Sequence, residues 1–69
     1  MLTVRHIEES GHESITPAHR VWSEPGDQVG GGTRNVFADI GKDHPLHFVT
    51  GQIYVMNDNG KTVATYAMT

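Results

Sequence analysis

The chain of 69 residues contains no cysteine, so no disulfide staples it. That absence fits a reducing compartment. It leaves a metal or self-association as the other ways to stabilise so small a core. No apolar run is long enough to span a membrane. The N-terminus, MLTVRHIEES, lacks the apolar centre of a signal peptide. A cytoplasmic protein and a complete reading frame are the expectations.

Clustered positive charge is also missing. The net charge is −3, and Arg5, Arg20, Arg34, Lys42 and Lys61 are spread along the chain. Nucleic acid is therefore not an expected partner, because its binding needs a concentrated basic surface to displace counterions. A mildly acidic chain suits a basic protein partner better, although −3 is a small bias.

Recognisable catalytic groupings are absent too. There is no cysteine nucleophile, and Ser10, Ser14 and Ser23 lie in no nucleophile elbow. Glu8, Glu9, Glu13 and Glu24 read as a solvated face rather than an acid–base pair. A chain this short rarely encloses a water-excluding pocket. No enzyme activity and no cofactor are expected.

Sustained helical periodicity and internal repeats are not visible. What is present is alternation. Leu2, Val4 and His6 face one way and Thr3, Arg5 and Ile7 the other, which predicts a strand over Leu2 to Glu8. Glu9-Ser10-Gly11 is a turn signal, and His12 to Ile15 a second strand. Pro17 cannot donate to a ladder, so it marks a sheet edge or a break. Thr16-Pro17-Ala18-His19 also fits a single helical turn, with Thr16 as N-cap and Pro17 at the first helical position. Arg20 to Glu24 resumes as a strand with Val21 and Trp22 on opposite faces.

Pro25 to Gly32 (PGDQVGGG) reads as a flexible loop. Thr33 to Ile40 sets Val36, Ala38 and Ile40 against Phe37 and Asp39. Gly41 to Pro45 is a turn, and Leu46 to Thr50 a further strand. The expectation is one all-β domain over residues 1–69, a small barrel or sandwich of about five to six short antiparallel strands, with at most one helical turn.

The final stretch, QIYVMNDNGKTVATYAMT, predicts a hairpin. Two registers compete. A two-residue Asn59-Gly60 loop pairs Asp58 with Lys61, Met56 with Val63, Val55 with Ala64 and Ile53 with Tyr66. A three-residue Asp58-Asn59-Gly60 loop with a bulge pairs Asn57 with Lys61 and Val55 with Val63. The first is favoured, because it gathers Ile53, Val55, Ala64, Tyr66 and Met68 on one face. The other face, Tyr54, Met56, Val63 and Thr65, is still substantially apolar. That surplus points to a partner, either a second copy of this chain or a host protein, and self-association is expected.

Five histidines are many for 69 residues. His44-x-x-His47, preceded by Asp39 and Asp43, offers donors that zinc accepts, but His44 falls in a turn and no HExxH or cysteine accompanies it. The pair is a weak metal candidate, and no metal is expected. A pH-dependent interface is the other use of histidine here. Gly30, Gly31 and Gly32 with Arg34 form the candidate anion cradle. Without a following helix and a P-loop lysine, the bland reading is a flexible connection. Trp22, Phe37, Phe48, Tyr54 and Tyr66 are mostly assigned to the core, with Tyr54 and Trp22 partly exposed.

Tyr54-Val55-Met56-Asn57, Gly60-Lys61-Thr62-Val63-Ala64 and Tyr66 resemble the C-terminal hairpin of small, uncharacterised all-β proteins encoded by phages and prophages of proteobacteria. In these a Thr-Pro-Ala segment, here Thr16-Pro17-Ala18, precedes the same ending. The resemblance is specific for the hairpin and implies no catalytic residue. It implies a phage accessory factor acting in the host-cell cytoplasm.

Small phage proteins of this kind often inhibit host systems, so anti-CRISPR or other anti-defence action against a host protein is the leading expectation. Its contact residues would be Trp22, Tyr54 and Met56, rimmed by Glu8, Glu9 and Glu24. Two alternatives stand beside it. One is an oligomer that sequesters a nucleotide-like molecule with Gly30, Gly31, Gly32 and Arg34. The other is a minor virion structural or assembly component.

Overall fold

The computed structural model describes residues 1–25 and 34–68. The glycine run at 30–32 and most of the expected 25–32 loop lie outside the described residues. Seven strands follow in order: β1 (Leu2–Ile7), β2 (Glu13–Ala18), β3 (Arg20–Pro25), β4 (Arg34–Asp39), β5 (Leu46–Phe48), β6 (Gly51–Met56) and β7 (Thr62–Met68). They form a four-stranded sheet, β2-β1-β6-β7, and a three-stranded sheet, β3-β4-β5. All pairings are antiparallel.

The architecture is thus all-β as expected, but the sheets do not close on each other. The barrel alternative gives way to an open sandwich, and seven strands replace five to six. The helical turn at Thr16-Pro17-Ala18 is absent; these residues belong to β2 at the edge of the larger sheet. An edge strand can carry Pro17 because one side of its ladder needs no donor.

Alternation decides which side chains enter the core. Val4, Ala18, Val36, Ala38, Ile53, Val55 and Met68 are buried, and both sheets contribute to this single cluster. Leu2, Val21, Ile40, Leu46, Phe48, Ala64 and Tyr66 pack around it. No polar side chain is buried among the described residues. The core is built from small aliphatics. Phe48 and Tyr66 reach it only from its margin. Trp22, Phe37 and Tyr54 are half-buried on the outer faces, as expected for Trp22 and Tyr54 but not for Phe37, whose expected place is the core.

Two corners carry the chain from one sheet to the other, as strands do when they bend between layers. At the first, His19 alone separates β2 from β3, and its N–H donates to the Asp39 carbonyl at 2.8 Å. At the second, Val49 and Thr50 join β5 to β6, and Gly51 turns with φ of +88°. The His6 ring braces this corner: its Nε2 lies 2.9 Å from the Thr50 carbonyl and its ring 4.8 Å from that of Phe48.

The two hairpins of the larger sheet share one turn design. Glu8 N–H donates to His12 O, and Gly11 N–H to Glu8 O, at 2.8 and 2.9 Å. Asn57 N–H donates to Lys61 O, and Gly60 N–H to Asn57 O, at 2.9 and 3.0 Å. Gly11 and Gly60 both have positive φ, and no non-glycine residue does among those described. Asn59 therefore does not adopt the conformation that a two-residue Asn-Gly turn requires.

The C-terminal hairpin combines the two competing registers. Its loop is the three-residue form, with Asn57 opposite Lys61 and Met56 opposite Thr62. A bulge between Val55 and Met56 then restores Val55–Ala64 and Ile53–Tyr66. The favoured core-side pairs are present, but the Asn59-Gly60 turn and the Met56–Val63 pair are not. The extra residue is absorbed at Val63, since a bulge sets two residues on one strand against one on the other.

Candidate interaction surface

The outer face of the four-stranded sheet is built from the residues that alternate with the core. Its pairing places Ile15, Arg5, Tyr54 and Thr65 side by side across β2, β1, β6 and β7. Pro17, Thr3, Met56 and Thr62 form the next row, and Glu13, Ile7, Gln52 and Ala67 the row on the other side.

This face has a pinned centre. Arg5 donates from Nε to Glu13 Oε2 at 2.6 Å and from Nη2 to Oε1 at 3.2 Å. A forked pair of this kind fixes the planes of both groups. The hydrogen bond from Arg5 holds the Glu13 carboxyl below the usual carboxylate range, and Glu13 raises Arg5 in return. The guanidinium carbon lies 5.7 Å from the Tyr54 ring centroid. The Tyr54 hydroxyl donates to Gln52 Oε1 at 2.7 Å. Tyr54 is thereby held between a cation and an amide.

Apolar side chains flank that centre in the open. Ile15 is 63% exposed and Val63 53% exposed. Ile7 and Met56 are half-buried. At the end of the sheet an open groove of about 490 Å³ runs between Ile7, Gly51, Ala67 and Met68, with Glu8 and Glu9 on its rim. Its lining is mainly apolar, and Glu8 and Glu9 are its charged members.

The outer face of the smaller sheet is different in kind. Trp22, Phe37 and His47 stand opposite one another on β3, β4 and β5. Trp22 and Phe37 stack at 5.6 Å and 17°, Phe37 and His47 at 4.5 Å and 7°. The Arg20 guanidinium covers the indole at 4.6 Å. His47 Nε2 lies 2.7 Å from Asn35 Oδ1, which sets the orientation of the imidazole. The result is a continuous ladder of planar groups across three strands.

The six contact residues expected from sequence divide between these faces. Tyr54 and Met56 belong to the larger sheet, with Glu8 and Glu9 in the turn at its end. Trp22 and Glu24 project from the smaller sheet, on the opposite side of the sandwich. The reason is the corner at His19, which transfers β3 to the second layer. Ile7, Ile15 and the Arg5–Glu13 pair were not anticipated as neighbours of Tyr54, nor Phe37 and His47 as neighbours of Trp22. Alternation carried a signal for Phe37, which sits between Val36 and Ala38. The cross-strand neighbours had no local signal.

The histidine candidates are not assembled together. His44 is exposed in the turn before β5, whereas the His47 ring is engaged by Phe37 and Asn35. Among the described residues no group of three or more histidine, aspartate or glutamate side chains is placed to hold a metal ion. The anion cradle falls on Gly30, Gly31 and Gly32, outside the described residues, and on Arg34, of which only the β4 backbone is described. In comparisons with known proteins the chain matches no family model, no curated protein and no solved structure.

Proposed function

We propose that this chain is a protein-binding module that docks the outer face of its four-stranded sheet on a partner protein. The observation that carries the reading is the open aliphatic side chain of Ile15 on the same face as Tyr54 and Met56, with Val63 exposed where β7 leaves its turn. Their burial against a partner contributes favourably, since each apolar group removed from water adds to association. Tyr54 is already held by Arg5 and Gln52, so little conformational freedom is lost when it docks.

The finer reading follows the resemblance of the hairpin: the partner is a host protein, and occupying its surface inhibits it. Capture from a bacterial lysate on the immobilised chain tests this, comparing wild type with Ile15→Lys, Tyr54→Ala and Trp22→Ala. Wild type and Trp22→Ala should retain one specific protein, and the first two variants should lose it while keeping the wild-type β spectrum. Retention of no specific protein by wild type, or equal retention by all three variants, would defeat the proposal.

A further inference from the structure

A sandwich of two open sheets has four edge strands, and each exposes unpaired main-chain N–H and C=O groups that template another strand. Here the edges are β2 and β7 in one sheet and β3 and β5 in the other. Three of them carry the usual protections. β2 holds Pro17 and Glu13, β3 holds Arg20, Glu24 and Pro25, and β5 is only three residues long.

β7 has none of these. Its sequence, TVATYAM, contains no charge and no proline, and at seven residues it is the longest strand. Among the described residues it pairs on one side only, with β6. Its bulge lies at the turn end and leaves the run from Ala64 to Met68 regular.

We propose that β7 is a self-association edge, at which two copies pair antiparallel about a two-fold axis through Thr65 to make one eight-stranded sheet. The occupant is a second copy because the free edge that one copy offers another is β7 itself, the other three being blocked. The pairing is self-complementary. Within the regular run Thr65 meets its own counterpart and Ala64 meets Tyr66, so a larger side chain faces a smaller one. With no charge on the strand, the two-fold brings no like charges together, although each chain carries a net charge of −3 elsewhere.

This edge adjoins the outer face assigned above to a partner protein and shares Thr65 with it, but the pairing runs through the main chain of β7, so the mass of the purified chain reads self-association alone. A single strand pairing buries less than the about 800 Å² per partner of a standard stable interface, so the dimer is concentration-dependent.

Sedimentation of the purified chain tests the proposal from about 10 μM to about 1 mM, a range that spans weak association. The mass should rise towards twofold across it. Thr65 is exposed, so Thr65→Lys and Thr65→Asp leave the core untouched while placing like charges together at the axis. Each variant alone should stay monomeric, and an equimolar mixture of the two should regain the doubled mass. A wild type that is monomeric throughout, or a dimer that survives Thr65→Lys, would overturn the assignment. So would a dimer abolished by Ile15→Lys and not by Thr65→Lys.

Discussion

Gly51 lies directly against the backbone carbonyl of Ile7, with no room for a side chain between them. A Cβ there would overlap the Ile7 oxygen, and φ at Gly51 is +88°. The corner from β5 into β6 therefore depends on this glycine twice, through conformation and through space. Gly60 also has positive φ, but nothing lies within 4 Å of a Cβ placed on it.

The two glycines should consequently respond differently to alanine. Gly51→Ala combines left-handed strain with a backbone overlap and should cost about 2–5 kcal/mol. A domain this small holds about 5 kcal/mol in all, so that variant should be largely unfolded. Gly60→Ala carries the conformational term alone, about 1–2 kcal/mol. Urea denaturation gives both values, and equal costs would refute the packing of the corner.

The hairpin turn offers a second comparison. Asn57 Oδ1 accepts from the N–H of Asn59 at 2.9 Å and of Lys61 at 3.0 Å. Asn57→Ala removes both bonds and should cost about 1–2 kcal/mol. The Asn59 side chain supports no such network in the observed turn, so Asn59→Ala should stay within about 0.5 kcal/mol. A two-residue Asn-Gly turn would reverse that order, which makes the pair of melting curves a direct test of turn type.

The Arg5–Glu13 pair predicts a pH dependence. The folded state lowers the Glu13 pKa, chiefly through the hydrogen bond from Arg5. The unfolded chain then binds the Glu13 proton more readily than the folded one. Stability from this group is fully present above the ordinary glutamate range and is lost as pH falls through the lowered folded value. Side-chain exposures of 42% and 38% keep the effect small. Carbon-detected titration by NMR should find Glu13 below the exposed glutamates, and Arg5→Gln should return it to their range. An unshifted Glu13 in wild type would show that the pair does not persist in solution.

The aromatic ladder can be read through the single tryptophan. Phe37 is its middle member, so Phe37→Ala breaks the contacts with both Trp22 and His47. Aromatic pairs contribute about 0.5–1.5 kcal/mol each beyond burial, giving an expected loss of about 1–3 kcal/mol. Trp22 emission should shift to longer wavelength as its face becomes wet. Unchanged emission and unchanged stability would together rule out the stack.

Much of the local structure was legible in the residues themselves. The alternation of Ile53 and Val55 with Tyr54 and Met56, and of Val36 and Ala38 with Phe37, correctly separates inward from outward side chains. Pro17 marks an edge, and the positions of Gly11 and Gly60 mark the two hairpin turns. The turn at Asn57 to Gly60 was harder, because Asp-Asn-Gly suits both a two-residue and a three-residue loop. A bulge at Val63 lets one strand begin in one register and continue in the other, and its cost depends on packing beyond the loop.

The candidate surface was legible only in part. Tyr54 and Met56 were recognisable as apolar residues on the outward side of a strand. Their neighbours Ile15, Ile7 and the Arg5–Glu13 pair come from strands whose order no local signal encodes. Trp22 was grouped with them as a second aromatic residue expected to stay partly exposed. His19 turns the junction of β2 and β3 into a corner, and Trp22 ends on the opposite face beside Phe37 and His47. Side-chain period is a property of each strand alone, so the order of residues settles strand type and facing. Which strands become neighbours, and which outward side chains therefore share a surface, depends on how two sheets bury a common core. That is a property of the whole chain, expressed in contacts between residues far apart in sequence.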